Sequence, residues 1–275
     1  MAGAEQMRMN TMFIPLSGGE PGEFTPPSIG EFFPGALLFE GTLFEMSRIN
    51  LIMVLMTTVL CVFFITAFRR PAVVPRGVQN FGEMALDFVR INIAEEVLGH
   101  HGRKYVVYLA TVFFMLFAFN ITSVIPPLQI AATSVIALPM ILAVITWLIF
   151  NVSGVKAHGL VHYLKANLFP PGVPKPIYLL VTPIEFVSTF LLRPVTLTIR
   201  LVANMMAGHL LLVLFFTATQ FLLLDAAGII KIFGLASFAM GFASTVLEVV
   251  VSFLQAYIFT LLTAVYIQGA LAEEH

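Results

Sequence analysis

The sequence predicts an all-α integral membrane protein, with about five transmembrane helices plus an amphipathic interfacial helix. The last two transmembrane helices are expected to be long and tilted and to form an antiparallel hairpin. Of the 275 residues, 59% are hydrophobic and only 11% are charged, and the mean hydropathy is +0.96. Soluble domains carry roughly 25% charged residues, so a soluble enzyme is excluded. The 27 phenylalanines exclude a disordered chain.

Five segments are long and apolar enough to cross a bilayer, which takes roughly 20 residues. They are Asn50–Phe68, Tyr105–Val124, Ala132–Val152, Ile177–Leu224 and Gly228–Leu271. Pro126 and Pro127 divide the second span from the third, because proline ends a helix. The last two segments exceed a perpendicular crossing, so we expect tilted or bent helices.

An amphipathic segment, Val78–Leu98, lies between the first two spans. Five apolar residues recur there at helical spacing: Phe81, Met84, Ala85, Phe88 and Ile91. Charged residues repeat on the opposite side: Glu83, Asp87 and Arg90. This pattern fits a helix at the membrane interface or against a partner, and it equally fits a cytoplasmic connector helix.

Basic residues in short loops favour the cytoplasmic side. The loops after the first and third spans carry Arg69, Arg70, Arg76, Lys156, Lys165 and Lys175. We therefore expect an outside N-terminus and an inside C-terminus. The expected division is a polar N-terminal segment, 1–48, outside the membrane, and a single transmembrane helical domain, 49–275.

No metal, cofactor or nucleic-acid site is expected. The net charge of −1 offers no basic surface for nucleic acid, and Cys61 is the only cysteine. His158 and His162 share a helical spacing in a basic loop, where interfacial polar residues are the expected interpretation. The sequence contains no nucleotide loop and no nucleophile with a base, so no autonomous catalytic site is predicted.

Ionisable and amide side chains interrupt the apolar sequence of the last two helices. Among them are Glu185, Arg193, Arg200, Asn204, His209, Glu248 and Gln255. An ionisable group at mid-membrane depth is unfavourable by about 2.5–3.5 kcal/mol or more, so such groups usually belong to ion paths or partner contacts. Structural polar packing is the alternative for each of them.

In an antiparallel hairpin, two residues that face each other are equally far from the turn, so the midpoint of their residue numbers falls at the turn. The pairs Arg200/Gln255 and His209/Glu248 both have midpoints close to residue 228, beside the polar break Asp225–Gly228. If the turn lies outside, His209 and Glu248 form an outer polar layer and Arg200 and Gln255 a central one. Glu248 and Gln255 lie on one helix face, about 10 Å apart.

Arginine at the centre is chemically informative. Arg200 keeps its charge in a protein, so it attracts and releases a carboxylate without relaying protons. Glu185 lies on the inner side of Arg200, whereas the His209/Glu248 pair can exchange protons near neutral pH. The pattern predicts an interrupted ion path. The alternative is a structural cation paired with Glu185 or Glu248.

Two neighbours of Arg200 have open interpretations. Arg193, two turns away, is expected to be a snorkelling or structural charge near the inner interface. Asn204, one turn away on the other side, either hydrogen-bonds Arg200 or packs between helices.

Two motifs resemble subunit a of F-type ATP synthases. Pro194–His209, with the letters PVTLTIRLVANMMAGH, is similar to the family's arginine-bearing helix. Gln255–Tyr266, with the letters QAYIFTLLTAVY, resembles the family's last helix. The spacing of the spans and the ending Glu273-Glu274-His275 are similar as well, so the resemblance extends over most of the chain from about residue 49.

The resemblance implies partners and roles. The partners would be a ring of c subunits, peripheral-stalk b subunits and the remaining ATP synthase subunits. The membrane would be a bacterial plasma membrane rather than a mitochondrial inner membrane. Arg200 would face the carboxylate of each passing c subunit and prevent a proton leak, with Gln255 beside it and Asn204 on its own helix. His209 and Glu248 match outer half-channel positions, which many bacterial relatives carry in reverse.

The resemblance also bears on the two ends of the implied proton path. Glu185 is similar to an inner half-channel glutamate. The family often has a carboxylate near the outer end of the second span, where this chain has only neutral polar groups, Asn120, Thr122 and Ser123. The rival functions are a stand-alone ion channel or secondary transporter and a purely structural membrane anchor.

Overall fold

The computed structural model describes residues 36–38, 46–126, 128–169, 177–225 and 228–272. The ending 273–275 and nearly all of the predicted N-terminal segment lie outside the described residues. A short antiparallel pair, β1 (Ala36–Leu38) and β2 (Met46–Ser47), precedes the first helix. Ser47 caps that helix, because its hydroxyl oxygen accepts a hydrogen bond from the Asn50 amide.

The remaining described residues are almost all helical. In chain order the α-helices are α1 (Arg48–Phe68), α2 (Val78–Val89), α3 (Glu96–Leu98), α4 (Gly102–Ile121), α5 (Ala137–His158), α6 (Leu160–Leu168), α7 (Tyr178–Phe186), α8 (Arg193–Gln220) and α9 (Lys231–Leu271). Three π-helical segments join neighbouring helices: Arg90–Glu95, Val187–Leu192 and Phe221–Asp225. Three 3-10 turns complete the list: Gly99–His101, Ala132–Ser134 and Gly228–Ile230.

The prediction of five membrane-length helices is confirmed. They run over Arg48–Phe68, Val78–Ile121, Ala137–His158, Tyr178–Leu224 and Gly228–Leu271. The third was predicted to begin at Ala132, which was wrong, because a separate 3-10 turn occupies Ala132–Ser134. It also extends beyond its predicted end, Val152, to His158, where Gly159, with φ of 82°, ends it.

The predicted amphipathic helix and the second predicted span are one continuous helical stretch with a corner. Gly99 has φ of 54°, which favours glycine, and the direction of the chain changes there. Gly102 packs directly on the backbone carbonyl of Ala94, and a β-carbon at Gly102 would overlap that oxygen. The corner brings Phe88 of α2 beside Phe113 of α4, with ring centroids 5.6 Å apart.

The packing face of α2 differs from the predicted apolar stripe. Gly82 and Val89 are buried, whereas Phe81 and Met84 of that stripe are more than half exposed. The helix therefore packs on α1 and α4 through Gly82, Val89 and the partly buried Phe88. Phe81 and Met84 leave an exposed apolar surface, as expected for an interface or partner face.

The last two long helices pack against each other and form the centre of the bundle. α9 contacts α8, α4 and α5, and α8 also contacts α5. Fully buried apolar residues fill the space between them, including Leu109, Leu116, Leu201, Phe259 and Ile267. Pro183 within α7 and the π-helical segment after it interrupt regular helical geometry, as expected for a segment longer than one crossing.

Candidate functional site

One face of α9 carries a buried polar stripe. Ser244, Glu248, Ser252 and Gln255 are spaced four, four and three residues apart and are all at most 6% exposed. This spacing keeps them on one side of the helix. The stripe places Glu248 and Gln255 on the same buried face of α9, inside the bundle.

Glu248 is held between α8 and the C-terminal end of α4. Its carboxylate accepts a hydrogen bond of 3.2 Å from the Ser123 hydroxyl. It also packs directly against Gly208, where a β-carbon would overlap the carboxylate oxygens. His209, the next residue of α8, is only 7% exposed. A carboxylate and an imidazole are thus buried on facing helices at the level of this glycine.

Four buried residues, which we call the polar wall, include Ser123, the hydrogen-bond partner of Glu248. They are Asn120, Thr122, Ser123 and Thr133. The Thr133 hydroxyl donates to the Asn120 side-chain oxygen at 2.5 Å, and Ser123 donates to the Asn120 carbonyl at 2.9 Å. Thr122 donates to the Ile130 carbonyl at 2.8 Å. These bonds tie the end of α4 to the irregular segment that precedes α5.

Gln255 is hydrogen-bonded to Asn204 rather than to Arg200. The Asn204 amide donates to the Gln255 side-chain oxygen at 2.7 Å. Asn204 therefore bonds the facing helix instead of Arg200, one turn nearer the hairpin turn than the predicted Arg200/Gln255 pair. Within the described residues, Arg200 and Gln255 share no hydrogen bond.

Arg200 is exposed on the lateral face of the bundle. The two salt bridges found among the described residues both belong to Arg90, so neither Glu185 nor Glu248 pairs with Arg200. Thr196 and Asn204, one helical turn to either side of Arg200, are exposed as well. Exposed apolar side chains elsewhere on the two helices include Ile199 on α8 and Leu254 on α9. A permanent cation therefore lies on the exposed surface of a membrane-length helix.

Arg193 and Glu185 lie on the side of Arg200 away from the turn. The Arg193 guanidinium lies 5.2 Å from the ring centroid of Tyr266 and 5.8 Å from that of Phe150. These cation–π contacts agree with the structural interpretation of Arg193. Glu185 is half-buried on α7, and its fifteen-residue separation from Arg200 corresponds to about 22 Å along a helix.

The sequence analysis did not identify four residues of the site. Ser244 and Ser252 were detectable, since each lies one helical turn from Glu248 on the same face. Gly208 and Thr133 gave no such signal. The importance of Gly208 depends on what α9 places opposite it, and Thr133 is linked to the site only through its hydrogen bond to Asn120.

Membrane-length helices with a buried carboxylate and imidazole and an exposed guanidinium define a multi-pass membrane protein with functional charge at membrane depth. The chain matches the family model described as ATP synthase A chain over residues 50–268. It is 47% identical over 277 residues to ATP synthase subunit a of Rhodococcus erythropolis, with both chains fully covered. The chain belongs to this family and is a proton-translocating stator subunit.

Other bacterial relatives agree. The chain is 40% identical over 261 residues to ATP synthase subunit a of a Nocardioides species, covering 92% of this chain and 95% of the relative. It is 46% identical over 211 residues to the subunit a of a Parafrankia species, covering 76% of this chain and 70% of the relative.

Proposed function

We propose that Arg200 faces the carboxylate of a rotating c-subunit ring and separates two offset proton half-channels. The observation that carries this proposal is an exposed arginine, within a membrane-length helix, with no salt bridge among the described residues. A charge in hydrocarbon requires a counter-charge. An ionised carboxylate on a partner at the same depth provides it.

The proposed outer half-channel passes the polar wall, Glu248 and His209. Two buried side-chain nitrogens, on Asn120 and Gln255, and the Ser252 hydroxyl have no hydrogen-bond partner among the described residues. Buried polar atoms of this kind normally bind water. Asn120 belongs to the polar wall, and Ser252 and Gln255 belong to the α9 stripe. These groups therefore support a hydrated path from the wall towards Asn204 and Gln255.

The proposed inner half-channel begins at Glu185. This half-buried carboxylate lies on α7, on the side of Arg200 opposite Glu248. The separation of the two carboxylates across Arg200 agrees with one acidic group for each side of the membrane. We further propose an outside N-terminal segment, 1–48, a single transmembrane domain, 49–275, and a cytoplasmic C-terminus in a bacterial plasma membrane.

A proton entering past Glu248 and His209 neutralises a ring carboxylate, which can then move into lipid because it carries no charge. After nearly a full revolution the carboxyl loses its proton near Glu185, and Arg200 stabilises the ionised form. Arg200 keeps its own proton, so the two half-channels are not connected. Each proton releases about 2.3 kcal/mol per 100 mV of membrane potential.

The partners proposed in this arrangement are the c ring, the peripheral-stalk b subunits and the other ATP synthase subunits. The c ring would cover the lateral face around Arg200. The first helix, α1, is largely exposed, since only 11% of its most apolar stretch is buried. Its exposed side leaves a further membrane-facing surface for a b helix or lipid.

Replacing Arg200 with alanine tests the proposal. In the assembled complex in vesicles, Arg200→Ala should abolish proton-driven ATP synthesis and open a passive proton leak, because the seal between half-channels is lost. Arg193→Ala is the matched control from the same helix: it should affect assembly or stability without the leak. Near-normal proton-driven synthesis in Arg200→Ala would contradict the proposal.

The same preparation separates the rival functions. Purified chain alone in liposomes should show no sustained ion turnover, because a ring carboxylate is needed to carry the proton across Arg200. Sustained transport by the chain alone would instead identify a stand-alone channel or transporter. A purely structural anchor predicts that Arg200→Lys impairs assembly and leaves transport intact in whatever complex does assemble.

A further inference from the structure

A basic pocket lies at the end of α1, remote from the hairpin site. It has a volume of about 480 Å³ and is lined by Thr66, Ala67, Arg69, Arg70, Arg76 and Gln79, with Val78 at its edge. All three arginines are exposed. In the part of the chain that the structure describes, none of them forms a salt bridge. Three arginines thus line one open pocket, and none of them has an ionic partner among the described residues.

The loop that carries the arginines is held in place by Gln79. The Ala72 amide donates to the Gln79 side-chain oxygen at 3.0 Å, and the Gln79 side-chain nitrogen donates to the Ala72 carbonyl at 2.9 Å. Gln79 itself is 8% exposed and also donates to Glu83 at 2.8 Å. Two prolines, Pro71 and Pro75, restrict the same loop. The pocket is therefore a fixed feature of the fold.

The depth of the pocket identifies the source of its ligand. α1 has 21 residues, which span about 31 Å and match the hydrocarbon thickness of a bilayer. Arg69 and Arg70 follow its last residue directly, so they lie at the level of the lipid headgroups. Ile65 and Phe81, on the two adjoining helices, are 64% and 57% exposed and provide apolar surface beside the pocket for acyl chains.

We propose that this pocket binds the phosphate-bearing headgroup of an anionic phospholipid. Arginine suits this ligand because its planar fork donates two hydrogen bonds to phosphate oxygens. Basic pockets at the cytoplasmic ends of membrane helices commonly recognise such headgroups. The bound lipid joins the end of α1 to the start of α2 and occupies the angle between them.

Photolabelling of the intact ATP synthase complex in lipid nanodiscs tests the site. The probes are diazirine-bearing phosphatidylglycerol and phosphatidylcholine, and labelled peptides are mapped by mass spectrometry. We expect the peptide around residues 62–82 to be labelled at least about tenfold more by the anionic probe, since each nearby basic residue contributes about fivefold. Equal labelling by both probes would overturn the proposal.

Variants separate a built pocket from general attraction to basic residues. R69Q/R70Q/R76Q should lose the preference for the anionic probe. R69K/R70K/R76K keeps the three positive charges, and therefore keeps the loop charge that orients the chain in the membrane. It should still lose most of the preference for the anionic probe, because lysine lacks the planar fork of arginine. Gln79→Leu should do the same by releasing the loop. Full retention of labelling in the lysine variant and Gln79→Leu would refute a built site.

The matched control is R103Q/K104Q, which removes two charges at the start of α4, outside the pocket. It should leave labelling of the 62–82 peptide unchanged, and an equal loss there would contradict the proposal. Millimolar inorganic phosphate should not compete with the anionic probe. Competition by phosphate would overturn the lipid assignment and identify a site for free phosphate.

Discussion

The two carboxylates on either side of Arg200 are held in different ways. On the side of Arg200 towards the hairpin turn, Glu248 is enclosed by Ser123 and Gly208 and is almost fully buried. On the other side, Glu185 is only half-buried on α7, a helix that contains a proline and continues into a π-helical segment. The Glu248 carboxylate therefore depends on close packing, whereas Glu185 depends less on its immediate neighbours.

The largest effect is expected at Gly208. Gly208→Ala places a methyl group where the Glu248 carboxylate lies, so that carboxylate must move. We expect ATP-driven proton pumping to fall about tenfold or more, since displacement of a functional group by about 1 Å has effects of this size. Gly269→Ala in α9, where a β-carbon meets nothing within 4 Å, is the control and should retain normal pumping. Equal activity of the two variants would show that the position of Glu248 is not critical.

Exchange of His209 and Glu248 tests whether the two groups act as a pair. His209→Ala and Glu248→Ala should each reduce proton-driven synthesis strongly, because each removes a buried titratable group. The exchange variant His209→Glu/Glu248→His keeps both groups on the same two helices and should retain more activity than either alanine variant. If the exchange is no better than the single changes, the proposed pairing is wrong.

A smaller effect is expected at Glu185. Glu185→Gln preserves the volume of the side chain and removes its charge, so the proposed inner half-channel loses its proton acceptor while packing is kept. We expect proton-driven synthesis to fall about fivefold, within the range for loss of one acid–base group that water can partly replace. Exposed Glu96→Gln on α3 is the charge-matched control. A Glu185→Gln variant as active as Glu96→Gln would exclude Glu185 from the path.

The smallest effect is expected at Ser123. Ser123→Ala removes one hydrogen bond of 3.2 Å to Glu248, and a typical hydrogen bond contributes about 1 kcal/mol. Pumping should fall by about fivefold or less. Ser153→Ala is the control, since it removes a buried hydrogen bond of 2.8 Å to Tyr105 on the other side of the bundle. A larger loss in the control would indicate an effect of general destabilisation.

Much of the fold was predictable because the bilayer limits the choices. Uncharged stretches and loop charges located the five spans, and polar residues at constant midpoint located the α8/α9 hairpin. The limits are visible at α2, where periodicity identified the helix but not its packing face. Phe81 and Met84 are apolar yet exposed, because in a membrane protein the apolar surface also faces lipid or partners.

The candidate site was predictable in its residues but not in its contacts. Arg200, His209 and Glu248 are recognisable because charge is rare at membrane depth. The hydrogen bond of Asn204 to Gln255, instead of to Arg200, depends on the relative rotation and height of two helices. A shift of one turn between them changes every partner without changing the sequence pattern.

The sequence by itself determined that this chain spans the membrane and which ionisable groups lie within it, because burial of charge in lipid is so unfavourable that few sequence patterns permit it. The tertiary structure alone decided what surrounds those groups. It brought Ser123 to Glu248 across 125 residues of chain and gave Gly208 its role. Such contacts depend on how separate helices pack, and helix packing is set by the whole set of neighbouring side chains rather than by any local pattern.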